Sequence, residues 1–158
     1  MLDPDGMLLR PDRSRVRLRE IAGWRGLVVV GVGRGGERGF QMVYRFHDVG
    51  EQFAAVGIHL AFVYPRESAR HVLDAVSVAS TRFRGHPWLL LDADDQCFAQ
   101  GVWPRSLEAV YLNPEMKRLA GVYVDLQVNT WERELRAFFG ACEVTCPDSG
   151  VGRSRADV

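Results

Sequence analysis

The chain has 158 residues, 47% of them hydrophobic and 25% charged, which is enough for one domain with a substantial core and too few for two ordinary ones. Its 20 basic residues balance its 20 acidic ones, so no global field draws it to nucleic acid or to an anionic membrane surface, and neither partner is expected. Three cysteines, Cys97, Cys142 and Cys146, are too few for a disulfide framework and fit free thiols in a reducing compartment. Met1 to Gly6 lacks the basic and apolar segments of a secretory signal, and no apolar run approaches the ~20 residues needed to cross a bilayer, so a cytoplasmic location is expected.

In chain order, Asp3-Pro4-Asp5-Gly6 is turn chemistry, and Val16-Arg17-Leu18-Arg19 alternates apolar and polar residues like an extended arm. Leu27 to Val30 is a β-branched run with the character of a strand buried on both faces. A glycine-rich loop follows, after which Phe40, Met42, Val43, Phe46, Val49, Phe53 and Val56 recur at helical spacing, predicting one helix stopped by Gly57. Ile58 to Tyr64 reads as a second core strand closed by Pro65, and Glu67 to Phe83 returns to helical spacing.

The second half changes character. Trp88 to Leu91 is a short strand, followed by a turn at Asp92-Ala93-Asp94-Asp95. Ala109 to Leu112 and Gly121 to Val124 are two strands around Asn113-Pro114-Glu115-Met116, a hairpin signal. Asn129 with Glu132 three residues on resembles a capping box, starting a helix through Trp131, Leu135, Phe138 and Phe139 that Gly140 ends. One domain over residues 1–144 is expected, with a disordered tail over 145–158, where periodicity is absent.

Strand, helix, strand, then hairpin and closing helix is the thioredoxin order. The entry Asp5-Gly6 through Val16-Arg17-Leu18-Arg19-Glu20-Ile21, the strand Leu27 to Val30, Trp88-Leu89-Leu90-Leu91-Asp92-Ala93-Asp94 with Gly101-Val102, and Ala109 to Glu115 with Gly121 to Val124 occur in the order found in one branch of that superfamily. Over residues 3–140 the chain thus resembles the alkyl hydroperoxide reductase and thiol-specific antioxidant proteins, the peroxiredoxins. The resemblance implies an α/β, thioredoxin-like three-layer sandwich, a mixed central sheet with helices on both faces. It also implies a homodimer as a possible assembly.

The same resemblance exposes a missing group. A peroxiredoxin needs a cysteine near the start of the first helix, where the helix dipole and a nearby arginine favour the thiolate. The matching stretch here is Glu37-Arg38-Gly39-Phe40-Gln41, with no sulfur. The family's later arginine aligns with Leu107, Arg105 being the nearest guanidinium, and Pro104 falls near the fold's cis-proline.

What remains near that pocket is Arg34, Gly35, Gly36, Arg38, Phe40, Pro104 and Arg105, a candidate site for a small anionic ligand or a protein partner, since helix-start amides and guanidinium groups attract anions. The expected function is therefore a redox-inactive binding module. Two enzyme alternatives stand beside it: a thiol oxidoreductase using a displaced cysteine, Cys97 or the Cys142/Cys146 pair, and cysteine-free chemistry with Glu37 as acid or base and Arg38 as anion clamp.

Gly31-x-Gly33-x-x-Gly36 also matches a dinucleotide fingerprint in the strand-to-helix context that motif requires, but no acidic residue follows at the expected distance, so a plain glycine-rich loop is preferred. No cofactor is expected. His47, His59, His71 and His86 do not converge in sequence, so no metal site is expected either. Trp24, Trp88, Trp103 and Trp131 flank element ends, and joint exposure of Trp88 and Trp103 would mark a ligand-lining or dimer patch.

Overall fold

A computed structural model describes residues 2–35, 39–73, 87–98 and 101–144. The predicted tail and most of the helix expected over Glu67 to Phe83 lie outside them.

The centre of the molecule is made by its two most apolar segments. β3 (Gly26–Val32) is buried at every position, and β4 (Ile58–Pro65) at all but His59 and Pro65. They pair in parallel from Gly26 opposite Ile58 to Gly31 opposite Val63. β5 (Trp88–Asp92) adds in parallel to the far side of β4, placing Asp92 opposite Pro65. β6 (Ser106–Leu112) runs antiparallel to β3, and β7 (Arg118–Asp125) antiparallel to β6, confirming the predicted hairpin. With two short N-terminal strands, β1 (Leu8–Leu9) and β2 (Arg15–Val16), the sheet has seven strands in the order β2-β1-β5-β4-β3-β6-β7.

Because successive strand residues face opposite sides, the sheet feeds two cores. Val28, Val30, Val32, Leu60 and Phe62 meet α2 (Gly39–Arg45), α3 (His47–Ala55) and the last helix, α5 (Trp131–Val144), through Met42, Phe46, Phe53, Leu135 and Phe139. A single turn, α4 (Arg70–Leu73), contributes Val72 to the same core. On the opposite face Leu27, Val29, Ala61, Val63 and Leu90 are covered by Leu8, Val16, Leu18, Ile21, Cys97 and Phe98. Among the described residues, the helical cover on that face is the single-turn α1 (Leu18–Ile21).

Four local expectations are corrected. The alternating segment Val16 to Arg19 is strand only at Arg15–Val16, and Leu18–Ile21 is helical, with the Glu20 carboxylate accepting the Arg17 amide at 2.8 Å. The helix expected over 40–56 is two helices broken at Phe46, whose φ/ψ of −112°/20° leave the helical region. Its ring lies 5.9 Å from Phe62, 5.6 Å from Phe139 and 6.2 Å from Trp131, so packing between sheet and α5 sets the break. The final helix starts at Trp131 with Thr130 Oγ1 donating to Glu134, while Glu132, expected in the capping box, binds Arg45 and Arg136 instead. Gly140 does not end that helix, which continues to Val144 and carries Cys142 into the core. Gly57 does stop α3, at φ +88°.

Candidate functional site

The end of β3 opens onto the loop that precedes β6, and Gly33 controls how closely the two approach. Its amide donates to the Ser106 carbonyl at 2.8 Å, and a Cβ at Gly33 would collide with the Trp103 carbonyl. The next contact continues the seam: the Arg105 amide donates to the Arg34 carbonyl at 2.8 Å, and the Arg105 carbonyl accepts the Leu126 amide at 2.9 Å. To make both bonds Arg105 adopts φ +56°, and Gly35 beside it adopts φ +80°. The Arg105 side chain lies along Gly35, its Cγ 3.3 Å from where a Cβ would stand.

Gly31, the first glycine of the fingerprint, lies beneath the Phe98 ring and Val102. The first two glycines of the motif are therefore used where backbone and core approach closely, and the Gly33 amide is already bonded.

A third segment is held against these by Asp92. This carboxylate is buried at the end of β5 and accepts three backbone amides, Gln96 at 2.9 Å, Cys97 at 3.1 Å and Phe98 at 3.0 Å. The expected turn is thus built around one acidic side chain, which fixes residues 96–98. Where the three loops meet there is a cleft of about 330 Å³ lined by Arg34, Pro65, Glu67, Asp95, Gly101, Val102 and Pro104. It sits at the carboxyl ends of β3 and β4, where open α/β sheets characteristically hold ligands.

The charge in this cleft is mixed. Arg34, Glu67 and Asp95 all line it, and Asp95 is paired with Arg66 at 3.3 Å. Among the described residues the lining thus carries one guanidinium from the β3 side and carboxylates from the β4 and β5 side.

Of the residues singled out in the sequence, Arg34 and Pro104 line the cleft, and Gly35 and Arg105 pack together beside it. Gly36, Glu37 and Arg38 lie outside the described residues; Gly39 opens α2, and Phe40 is in its first turn. Pro65, Glu67, Asp95, Gly101 and Val102 were not anticipated. Pro65 and Glu67 carried a usable signal, since they follow a core strand directly; Asp95, Gly101 and Val102 carried none.

Cys97 is elsewhere. It is 0% exposed in the second core; burial pushes its thiol well above the usual range, and the Asp92 and Asp3 carboxylates add to the effect. A thiol held neutral in this way lacks the thiolate a nucleophile needs. Cys142 is also buried, and burial pushes its thiol up to about 12. Cys146 lies outside the described residues.

His59 Nδ1 lies 2.7 Å from the Ile21 carbonyl oxygen, and His47 sits 3.8 Å from Glu51; His86 lies outside the described residues. Among the described residues no three His, Cys, Asp or Glu side chains are grouped to hold a metal ion. Nor is any helix there long and apolar enough to cross a membrane. The joint Trp88/Trp103 patch does not form: Trp103 is exposed by the cleft, whereas half-buried Trp88 begins β5 under the Arg10 guanidinium, 4.8 Å from its ring centre.

Comparison with solved structures identifies the fold. The bacterioferritin comigratory protein of Xanthomonas campestris superimposes with a TM-score of 0.63 over 90% of this chain and 95% of its own, at 17% sequence identity. The chain has the thioredoxin-like fold of the peroxiredoxins. Peroxidoxin BcpB from Mycobacterium tuberculosis is also similar to this chain in fold, with a TM-score of 0.58 at 17% identity over 89% of the chain and 97% of its own. A putative electron transfer protein from Aquifex aeolicus VF5 gives 0.53 at 10% identity, over 86% and 89%. No family model and no curated protein matches the sequence.

Proposed function

We propose that this peroxiredoxin-like fold serves as a binding module and not as a thiol peroxidase. The observation that carries the reading is that no usable thiolate is found among the described residues. The start of α2 reads Gly39-Phe40-Gln41, and the two described cysteines are buried with raised thiol pKa values.

The binding surface is the cleft between Arg34 and Pro104 on one side and Glu67 and Asp95 on the other. A small anionic ligand, or an acidic side chain of a protein partner, places its negative group at Arg34, and any donor it carries meets the opposing carboxylates.

The test is peroxide consumption with dithiothreitol as reductant, for the wild type and for the Cys97→Ser/Cys142→Ser/Cys146→Ser variant, with intact-mass analysis after exposure. Both proteins should match the reductant-only control. Consumption by the wild type alone means that a displaced thiol, Cys97 or the Cys142/Cys146 pair, performs the chemistry, and the binding-module reading is then wrong. If a turnover activity is found that survives the triple substitution, Glu37→Gln tests the cysteine-free alternative: loss of that activity with the fold intact assigns the role of acid or base to Glu37.

A further inference from the structure

Two opposite charges line the cleft without neutralising each other. Among the described residues neither Arg34 nor Glu67 has an ion-pair partner, whereas Asp95, the third charged residue of the lining, is held by Arg66 at 3.3 Å. Arg34 stands two residues past the end of β3, and Glu67 two residues past the end of β4. These strands are parallel neighbours with Gly31 opposite Val63, so the two charges rise from strand ends about 5 Å apart. Arg105, lying along Gly35, adds positive charge on the Arg34 side.

That spacing is inside the screening length of about 10 Å at 0.1 M salt, so a ligand at either charge feels the other. A molecule with negative charge alone is drawn to Arg34 and repelled by Glu67, and one with positive charge alone meets the reverse. A molecule that carries both charges gains at both ends. The remaining lining, Pro65, Gly101, Val102 and Pro104, brings no charge, and Trp103 between the last two is 74% exposed. At about 330 Å³ the cleft is at the small end of sites that hold small molecules.

We propose that the cleft takes a free α-amino acid with an apolar side chain, its carboxylate on Arg34, its ammonium on Glu67 and its side chain against Val102 and Pro104. This rests on the reading of the cleft as a binding site and narrows its ligand from an anion to a zwitterion. Both charged groups of an α-amino acid are bonded to one carbon, which suits side chains rising from adjacent strands. A residue inside a peptide has neither charge on its backbone, and the ends of a longer peptide are too far apart to meet both groups.

Titration of the isotope-labelled chain with L-phenylalanine, followed by its amide resonances in low salt near pH 6, where α-amines are protonated, tests this. The amides of Arg34, Glu67, Val102 and Arg105 should shift saturably, with a dissociation constant of about 1 mM. N-acetyl-phenylalanine, which keeps only the carboxylate, and phenylalaninamide, which keeps only the ammonium, should each bind at least tenfold more weakly. Arg34→Gln should remove the preference for phenylalanine over phenylalaninamide, and Glu67→Gln the preference over N-acetyl-phenylalanine. Both side chains are exposed, and unchanged resonances away from the cleft verify that each variant is folded. No saturable shift with phenylalanine overturns the proposal, as do shifts centred away from the cleft or preferences that neither substitution moves. N-acetyl-phenylalanine binding as tightly as phenylalanine also overturns it but leaves the cleft an anion site, whereas thiol-dependent peroxide consumption overturns the binding-module reading itself.

Discussion

Replacing Asp92 tests how the cleft is built. Its carboxylate is 3% exposed and satisfies three amides, two of them, those of Cys97 and Phe98, on fully packed residues. Removing the acceptor leaves those two donors buried and unpaired, at about 2 kcal/mol each, so Asp92→Ala should cost about 4 kcal/mol. The near-isosteric Asp92→Asn keeps one oxygen for the Gln96 and Cys97 amides and turns an N–H toward that of Phe98, losing one charge-assisted bond and costing about 2 kcal/mol. For a chain of this size the alanine variant should melt about 8–16 °C below the wild type. Urea unfolding followed by circular dichroism measures the energies. Hydrogen exchange, read residue by residue, should show the loss of protection centred on Gln96, Cys97 and Phe98. A cost below about 1 kcal/mol for Asp92→Ala, outside the range for leaving buried donors unpaired, would refute the account of this turn.

Three further outcomes follow from other contacts. The Arg25 guanidinium bonds the carbonyls of Val56, just past α3, and Glu143, in the last turn of α5, at 3.4 and 3.3 Å, placing positive charge at two helix C-termini; Arg25→Ala should cost about 1–2 kcal/mol in urea unfolding. Gly33→Ala drives a methyl group into the Trp103 carbonyl, where only backbone can yield, and should cost about 3 kcal/mol and broaden the Arg34 and Arg105 amide resonances. The buried thiols make stability fall in alkali. Cys142 stays protonated in the native state up to about 12 while the unfolded chain ionises near the ordinary value of 9.0, so its contribution is fully present below pH 9 and is lost as pH rises toward 12. Cys97 acts in the same direction. Urea midpoints across that range should drop less steeply in Cys142→Ala, and neither described thiol should react with a disulfide reagent at pH 8 without unfolding.

The core strands β3 to β7 and the end of α3 were legible because their causes are local. β3 and β4 are continuous apolar runs because both faces are buried, and Gly57 ends α3 because it alone there tolerates φ +88°. The 113–116 turn is written in Asn113, whose side chain accepts the Glu115 and Lys117 amides at 3.0 and 2.9 Å. The break at Phe46 was not legible, since no glycine or proline marks it and its cause is ring packing against Phe62, Phe139 and Trp131. Gly140 misled for the complementary reason: Phe139 and Cys142 are buried on either side of it, and that packing outweighs the modest cost of a mid-helix glycine. β1 and β2 are too short to show a period at all.

By itself the sequence determined the order of the core elements and the fold likeness, both properties of neighbouring residues. The tertiary structure decided what the glycines and cysteines are for. Gly31 and Gly33 meet Phe98 and Trp103, roughly seventy residues away along the chain, so what reads as a nucleotide loop is a site of close backbone approach. Cys97 is a core residue: Asp92 binds its amide and the second core encloses its side chain. The cleft likewise takes its charge from three separate loops, and opposed charges at Arg34, Glu67 and Asp95 arise only when the sheet brings those loops to one end.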